Sequence, residues 1–494
     1  MVRFSKAHGL IVTSLIGIAV SVVSFSGCSS KSSGGCHAIS GGCAGVPDGN
    51  VCGGDTCTDG VTCASVVKAK DDAELQAAIA SATAGACIAL TGSTYGDAAL
   101  PGGVSLLGRG ASLASVHSVT VNAGTGAVVR GVTVGGGGIA IANGATSVRI
   151  DSVHVLKPDA NGITLGTGSS ATIASSTLEG AGSATDSHGP LGGNAIFAAE
   201  AASLDIEKTY IGQTYGPGIW AQSCSDGCAC TSATRMNVHG IIIEGTELVA
   251  MALGGVNATL DDVTLTGTVP FHRDGQQGGG LAAFQCTTLT ATNLKATSNM
   301  LYGVLVDHAS ATLGDANAVG SVDISNNATY GAWIQNISKM PGGADQGVSL
   351  LGARLKGNQG VGIGLDGNAH GIIIEGCEAT GTGAKSLPTL VPGPGQSSVG
   401  DGLLWGKGVQ ANVKSLTVDG NARAGATIGG QWADGSNMGL KVGNGNQHGI
   451  IIEGVPIDVA PPALNVDGSL VTRSAAYDFP LPVGPAAPTA IRLH

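Results

Sequence analysis

From Val128 to about Pro456 the chain repeats one short phrase of apolar and polar positions. An alternating strand leads to a Gly/Asn turn, then to a Gly-led apolar strand, then to a strand of small residues. The turn and Gly-led strand recur as Ala160-Asn-Gly-Ile-Thr-Leu, Tyr215-Gly-Pro-Gly-Ile-Trp, Leu301-Tyr-Gly-Val-Leu-Val and Asn326-Asn-Ala-Thr-Tyr-Gly-Ala-Trp-Ile. They return as Gly360-Val-Gly-Ile-Gly-Leu and Asp401-Gly-Leu-Leu-Trp. Spacings run from about 22 residues upward, a solenoid range. Each strand sends apolar residues one way and polar residues the other, so stacked copies bury one continuous core. Coils stacked in parallel all turn the same way, and parallel crossovers are overwhelmingly right-handed. The pattern predicts an all-β, right-handed parallel β-helix of roughly a dozen coils.

Ahead of the repeats, Asp72-Ala-Glu-Leu-Gln-Ala-Ala-Ile-Ala places Leu75, Ala78 and Ile79 at helical spacing after an acidic start. Ile88-Ala-Leu, Gly92-Ser-Thr-Tyr95 and Pro101–Gly110 follow as strands and turns. This opening resembles the pectate-lyase-like β-helix superfamily, in which a short helix plugs the N-terminal end of the solenoid. The resemblance implies a groove along one sheet where acidic polysaccharides are cleaved or epimerised by acidic, basic and calcium-binding residues. It makes Ca2+ a possible cofactor here. The Arg-x-Pro-x-x-Arg of pectate lyases is missing, as are the Asn-Thr-Asp and Gly-His-Gly of polygalacturonases and the Asp-Pro-His-Asp of alginate epimerases. That puts the activity in doubt and leaves the fold standing.

Composition agrees with a solenoid. Aromatics make up 3% and charged residues 12%, yet 43% of positions are hydrophobic, so the chain can bury a core of Val, Ile, Leu and Ala. The 83 glycines lack the every-third spacing of collagen. A formal charge of −11 without a basic cluster excludes nucleic acid as partner. It also suits an acidic polysaccharide poorly unless metal ions bridge the two.

Arg3, Lys6 and His8, an apolar run from Gly9 to about Val23, and Phe25-Ser-Gly-Cys28 read as an export signal. The ending resembles the lipobox of bacterial lipoproteins, which implies a lipid on Cys28 and membrane attachment. Ser29, where many inner-membrane lipoproteins carry Asp, points to the outer membrane or cell surface. An ordinary cleaved signal peptide is the alternative.

The expected domains are a signal peptide (1–27), a lipidated, flexible, disulfide-rich stalk (28–63), the β-helix with its capping helix (64–460) and a C-terminal tail or cap (461–494). In the stalk Cys36, Cys43, Cys52, Cys57 and Cys63 stand in Gly/Asp/Thr-rich sequence that cannot fold by apolar burial alone. Cys87 could supply a sixth partner; zinc is the alternative to disulfides. Cys224, Cys228, Cys230 and Cys286 suggest two further disulfides.

Candidate chemistry falls in three insertions, 180–193, 267–279 and 381–400, which leave the coil just before the Gly-led strand. The first two carry Asp186, His188, His272, Arg273 and Asp274, a carboxylate–imidazole–guanidinium set able to do acid–base work on a uronic sugar. Alternation along the Gly-led strands sends Trp220, Gln222, Leu305, Asp307, Trp333, Gln335 and Asp366 outward, a possible sugar-stacking strip. His-Gly-Ile-Ile-Ile-Glu-Gly occurs three times, at 239–245, 370–376 and 448–454. It reads as a duplicated coil segment with Ile241 and Ile243 inward. The leading expectation is a cell-surface β-helix that binds or scaffolds glycans or envelope partners. A polysaccharide lyase or hydrolase, or a purely structural envelope protein, are the alternatives.

Overall fold

The computed structural model describes residues 37–39, 42–45, 60–110, 114–183, 193–223, 233–272, 278–337, 347–367, 369–385, 399–406, 408–429, 437–443, 445–453 and 489–491. They fall into two units. The N-terminal unit holds the described residues up to His272 together with 287–293, and the C-terminal unit holds 278–286 and those from 294 onward. Both are right-handed parallel β-helix, as the repeat pattern predicts. Within each, a coil has three strands, and each strand pairs in parallel with its counterpart one coil on. In the N-terminal unit Ile163–Leu165 pairs with Ile196–Ala199, Ser170–Ala174 with Ser203–Glu207, and Thr177–Glu179 with Tyr210–Gly212. In the C-terminal unit Tyr302–Asp307 pairs with Tyr330–Gln335, and Ser310–Gly314 with Val348–Leu351. We call these the first, second and third strands of a coil.

Most corners between second and third strands turn on a single residue in the left-handed region. Arg235–Glu244 is one strand that serves as both second and third, pairing with Ser203–Glu207 and Tyr210–Gly212 and bending at Gly240, φ +62°. A residue without Cβ takes that conformation at little cost. At the equivalent bends Asp262 and Asn293 take φ of +53° and +50°, which short polar side chains tolerate.

Before five first strands of the C-terminal unit an asparagine side chain turns inward, and Thr382 stands in that place before Asp401–Trp405. Asn299, Asn327, Asn358, Asn421 and Asn446 are at most 1% exposed. Asn299 donates through its backbone N (3.1 Å) and Nδ2 (3.0 Å) to Oδ1 of Asn327, which donates in the same way to Asn358. Asn421 does so to Asn446, and the backbone N of Thr382 donates to Asn421. The buried turns thereby satisfy their own polar groups.

Each asparagine also explains the Gly-led strand. A Cβ on Gly331 would lie 2.4 Å from the Gly362 carbonyl oxygen and 2.7 Å from Asn358 Nδ2. Gly280, Gly303, Gly402 and Gly425 are confined in the same way by Asn299, Asn327, Asn421 and Asn446, and Gly362 by the Gly402 carbonyl oxygen. Inside the coils the core is aliphatic, with Ile363, Leu365, Leu403 and Val413 fully buried.

The helix Asp72–Ser81 forms where expected. Asp71 caps it by accepting from the Glu74 backbone N at 3.0 Å, and Leu75 and Ala78 are buried. Cys63 is disulfide-bonded to Cys87, the sixth partner suggested above. Cys286 is disulfide-bonded as well. Cys28, Cys36, Cys52, Cys57, Cys224, Cys228 and Cys230 lie outside the described residues.

Candidate functional site

Of the insertion residues, Asp186, His188, Arg273 and Asp274 lie outside the described residues, and His272 within them. The first insertion leaves at Gly182 and re-enters at Gly193, where a Cβ on Gly182 would stand 2.7 Å from Gly193 Cα. The third is closed at its root by an antiparallel bridge between Lys385 and Val399. His272 is fixed on two sides. Its Nδ1 lies 2.5 Å from Glu247 Oε2, and its backbone N donates to the same oxygen at 3.1 Å. The half-exposed Tyr215 ring meets the imidazole edge-on at 5.8 Å. A carboxylate that orients an imidazole beside an open aromatic ring can hold a proton where a ligand would arrive.

The outward residues of the first strands are placed in two groups. In the N-terminal unit Trp220 is half-buried, with Nε1 donating to Gln222 Oε1 at 3.4 Å. In the C-terminal unit Trp333 repeats that contact with Gln335 at 2.7 Å, but is only 7% exposed. Tyr330 lies 4.6 Å away on one side, and the ring covers Gly364, whose Cβ would fall 2.1 Å from it. Asp307, Gln335 and Asp366 stand in register on successive coils. Asp307 accepts from Asn336 Nδ2 at 2.8 Å and lies 2.7 Å from His308 Nδ1. The bond to Asp307 raises the His308 pKa above the ordinary imidazole value, against the opposing effect of burial. Among the described residues no three His, Cys, Asp or Glu side chains converge as a metal would require. The carboxylate-rich donor set of a calcium ion is thus not gathered there.

A further polar surface, one the sequence pattern did not single out, lies on the second-strand sheet of the N-terminal unit. Pairing sets Ser203, Arg235 and Asn257 in one outward column, Asp205, Asn237 and Thr259 in the next, and Glu207, His239 and Asp261 in a third. All nine are polar, and the alternate positions between them, such as Leu204, Met236, Val238 and Leu260, are buried. Asn237 Nδ2 donates to Asp205 Oδ1 at 2.7 Å. Asp261 gathers three neighbours, with His239 Nδ1 3.1 Å from Oδ2, and Thr292 and Asn293 donating to Oδ1 at 2.9 and 2.8 Å. Partial burial alone would raise its pKa. The bonds from Asn293, Thr292 and His239 outweigh this and hold the carboxyl below the ordinary value. Outward alternation at these positions was the available signal, but polar residues on an exposed strand read first as solvated surface.

His239 belongs to the first His-Gly-Ile-Ile-Ile-Glu-Gly copy, and the three copies occupy different strands of the coil. The first supplies a third strand, flanked by left-handed Gly240 and Gly245 with Ile241 and Ile243 fully buried. The second supplies the second strand Ile372–Glu375. The third is the first strand His448–Glu453. There burial and the nearby Arg423 lower the His448 pKa, against a smaller opposing effect of Asp401. Asp401 is fully buried and bonded to Arg423, whose Nε donates to Oδ1 at 2.8 Å. The heptapeptide is a portable strand, not one repeated site.

The right handed beta helix region family model matches residues 137–319. Among curated proteins none matches in sequence. Among solved structures, the A-module of the Azotobacter vinelandii mannuronan C-5 epimerase AlgE6 is similar at 14% identity over 85% of this chain and 99% of its own, with a TM-score of 0.41. The A-module of AlgE4 from the same organism is similar at 10% identity over 83% and 99%, with a TM-score of 0.35. The periplasmic alginate epimerase AlgG is similar at 11% identity over 81% and 82%, with a TM-score of 0.36.

Proposed function

We propose that this chain is an exported, lipid-anchored protein of the bacterial outer membrane or cell surface that binds glycans along the second-strand sheet of its N-terminal unit. The observation that carries the reading is the unbroken polar strip Asp205–Asn237–Thr259 and Glu207–His239–Asp261. Its carboxylates, amide, hydroxyl and imidazole repeat at about 4.8 Å, the rise of one coil. That is a periodicity on the scale of sugar rings in an extended chain. Asp205, Glu207 and Asp261 within the strip, and a chain charge of −11, favour an uncharged or amino-bearing glycan over a polyanion. The missing lyase, hydrolase and epimerase motifs support binding without turnover. The second reading, turnover in the groove, is favoured by Glu247 orienting His272 beside Tyr215.

A Cys28→Ser chain, soluble if the anchor reading holds, tests both. It is passed over neutral, amino-bearing and acidic polysaccharides while retention and newly formed chain ends are followed. Retention on neutral or amino-bearing glycans without new ends supports binding. New ends that vanish in His272→Ala would transfer the function to the insertion site.

A further inference from the structure

The N-terminal hairpin does not hang free of the coils. His37–Ile39 pairs antiparallel with Gly42–Ala44. The His37 ring lies flat on Tyr210, centroids 3.7 Å apart and planes 2° from parallel. Tyr210 points outward from a third strand, since Ile211 beside it is fully buried inward, yet it is only 6% exposed. Its own ring folds over Gly212, where a Cβ would meet the hydroxyl at 2.7 Å. Further along the hairpin, Ile39 Cδ1 stands 3.0 Å from where a Cβ on Gly240 would be, and the Gly45 backbone N donates to the Lys208 carbonyl at 3.0 Å. The hairpin therefore starts over the third-strand sheet and ends on the corner at Lys208 and Gly240. The polar strip on the second-strand sheet lies beyond that corner.

Nine peptide steps separate Cys28 from His37. Fully extended they span about 30 Å at most. A lipid on Cys28 thus lies within about 30 Å of His37 on the third-strand flank. We infer that the N-terminal unit sits on its membrane with the third-strand sheet toward the bilayer. The docked hairpin fixes that orientation and leaves the second-strand strip facing away, open to ligand. The inference rests on the anchor reading above; the partner surface is the lipid bilayer itself.

The test uses the full lipidated chain in phosphatidylethanolamine–phosphatidylglycerol vesicles containing a nickel-chelating lipid. A nitroxide is coupled to an unnatural ketone side chain at Thr266 or at Thr259. Both lie on the strand Asn257–Thr266, the first on its third-strand part and the second on its second-strand part. Headgroup nickel should relax the label at Thr266 at least threefold more than that at Thr259. Tyr210→Ala, or the milder His37→Ala, should erase most of the difference by releasing the hairpin. Equal relaxation in a chain shown by mass spectrometry to carry lipid would overturn the orientation alone. A chain that carries no lipid would overturn the anchor, and the orientation with it.

Discussion

Single residues hold this molecule together where its coils turn. Asn327 accepts two hydrogen bonds from Asn299 and donates to Asn358 and to the Ala296 carbonyl. Asn327→Ala strands the two donors of Asn299 in the core. At about 1–3 kcal/mol for each unsatisfied group, a loss of roughly 2–6 kcal/mol is expected in urea titrations. Asn327→Asp keeps the acceptor and should lose less near its own pKa than above it. His308 offers a pH test. Its folded pKa is raised by Asp307, so its contribution to stability is complete below about pH 6.5 and fades as pH rises through the folded value. NMR titration should place His308 above the ordinary imidazole value, and His308→Gln should flatten the stability profile above about pH 6.5. A His308 that titrates at or below that value would remove the Asp307 contact from the account.

At the scale of the element, strands were legible in the sequence because alternation and the Gly-led phrase are local. The capping helix was legible for the same reason, with Leu75 and Ala78 buried as their spacing implied. The reason for the glycines was not legible, because it comes from the next coil. Gly331 is confined by Gly362 and Asn358, some thirty residues away in sequence and one coil away in space. Gly331→Ala should cost about 1–3 kcal/mol by overcrowding, although alanine favours most backbones over glycine. A neutral or stabilising Gly331→Ala would mean the coils are looser than described. Legibility failed again at Trp333, where alternation gave the outward direction but could not show that the Tyr330 ring and Gly364 crowd the indole. The polar strip was missed because its columns run across coils: Glu207, His239 and Asp261 lie 32 and 22 residues apart and meet only once the register is set.

At the scale of the whole molecule, the outward positions of three successive second strands of the N-terminal unit are polar, while first strands carry the aromatic Trp220 and Trp333. Three surfaces therefore compete for the ligand: the strip at Asn237 and Asp261, the Trp220–Gln222 pair, and the His272–Glu247 pair beside Tyr215. Each can be removed without touching the buried core. The most direct measurement is the affinity of the soluble chain for whichever glycan it retains, compared among Asn237→Ala/Asp261→Ala, Trp220→Ala and His272→Ala, each first shown to unfold at the wild-type urea midpoint. Glycan binding along the second-strand sheet predicts a loss of at least tenfold, about 1.4 kcal/mol, in the strip variant. It predicts less than a twofold change in the other two. Full affinity in the strip variant, with the loss falling instead on Trp220→Ala or His272→Ala, would contradict it.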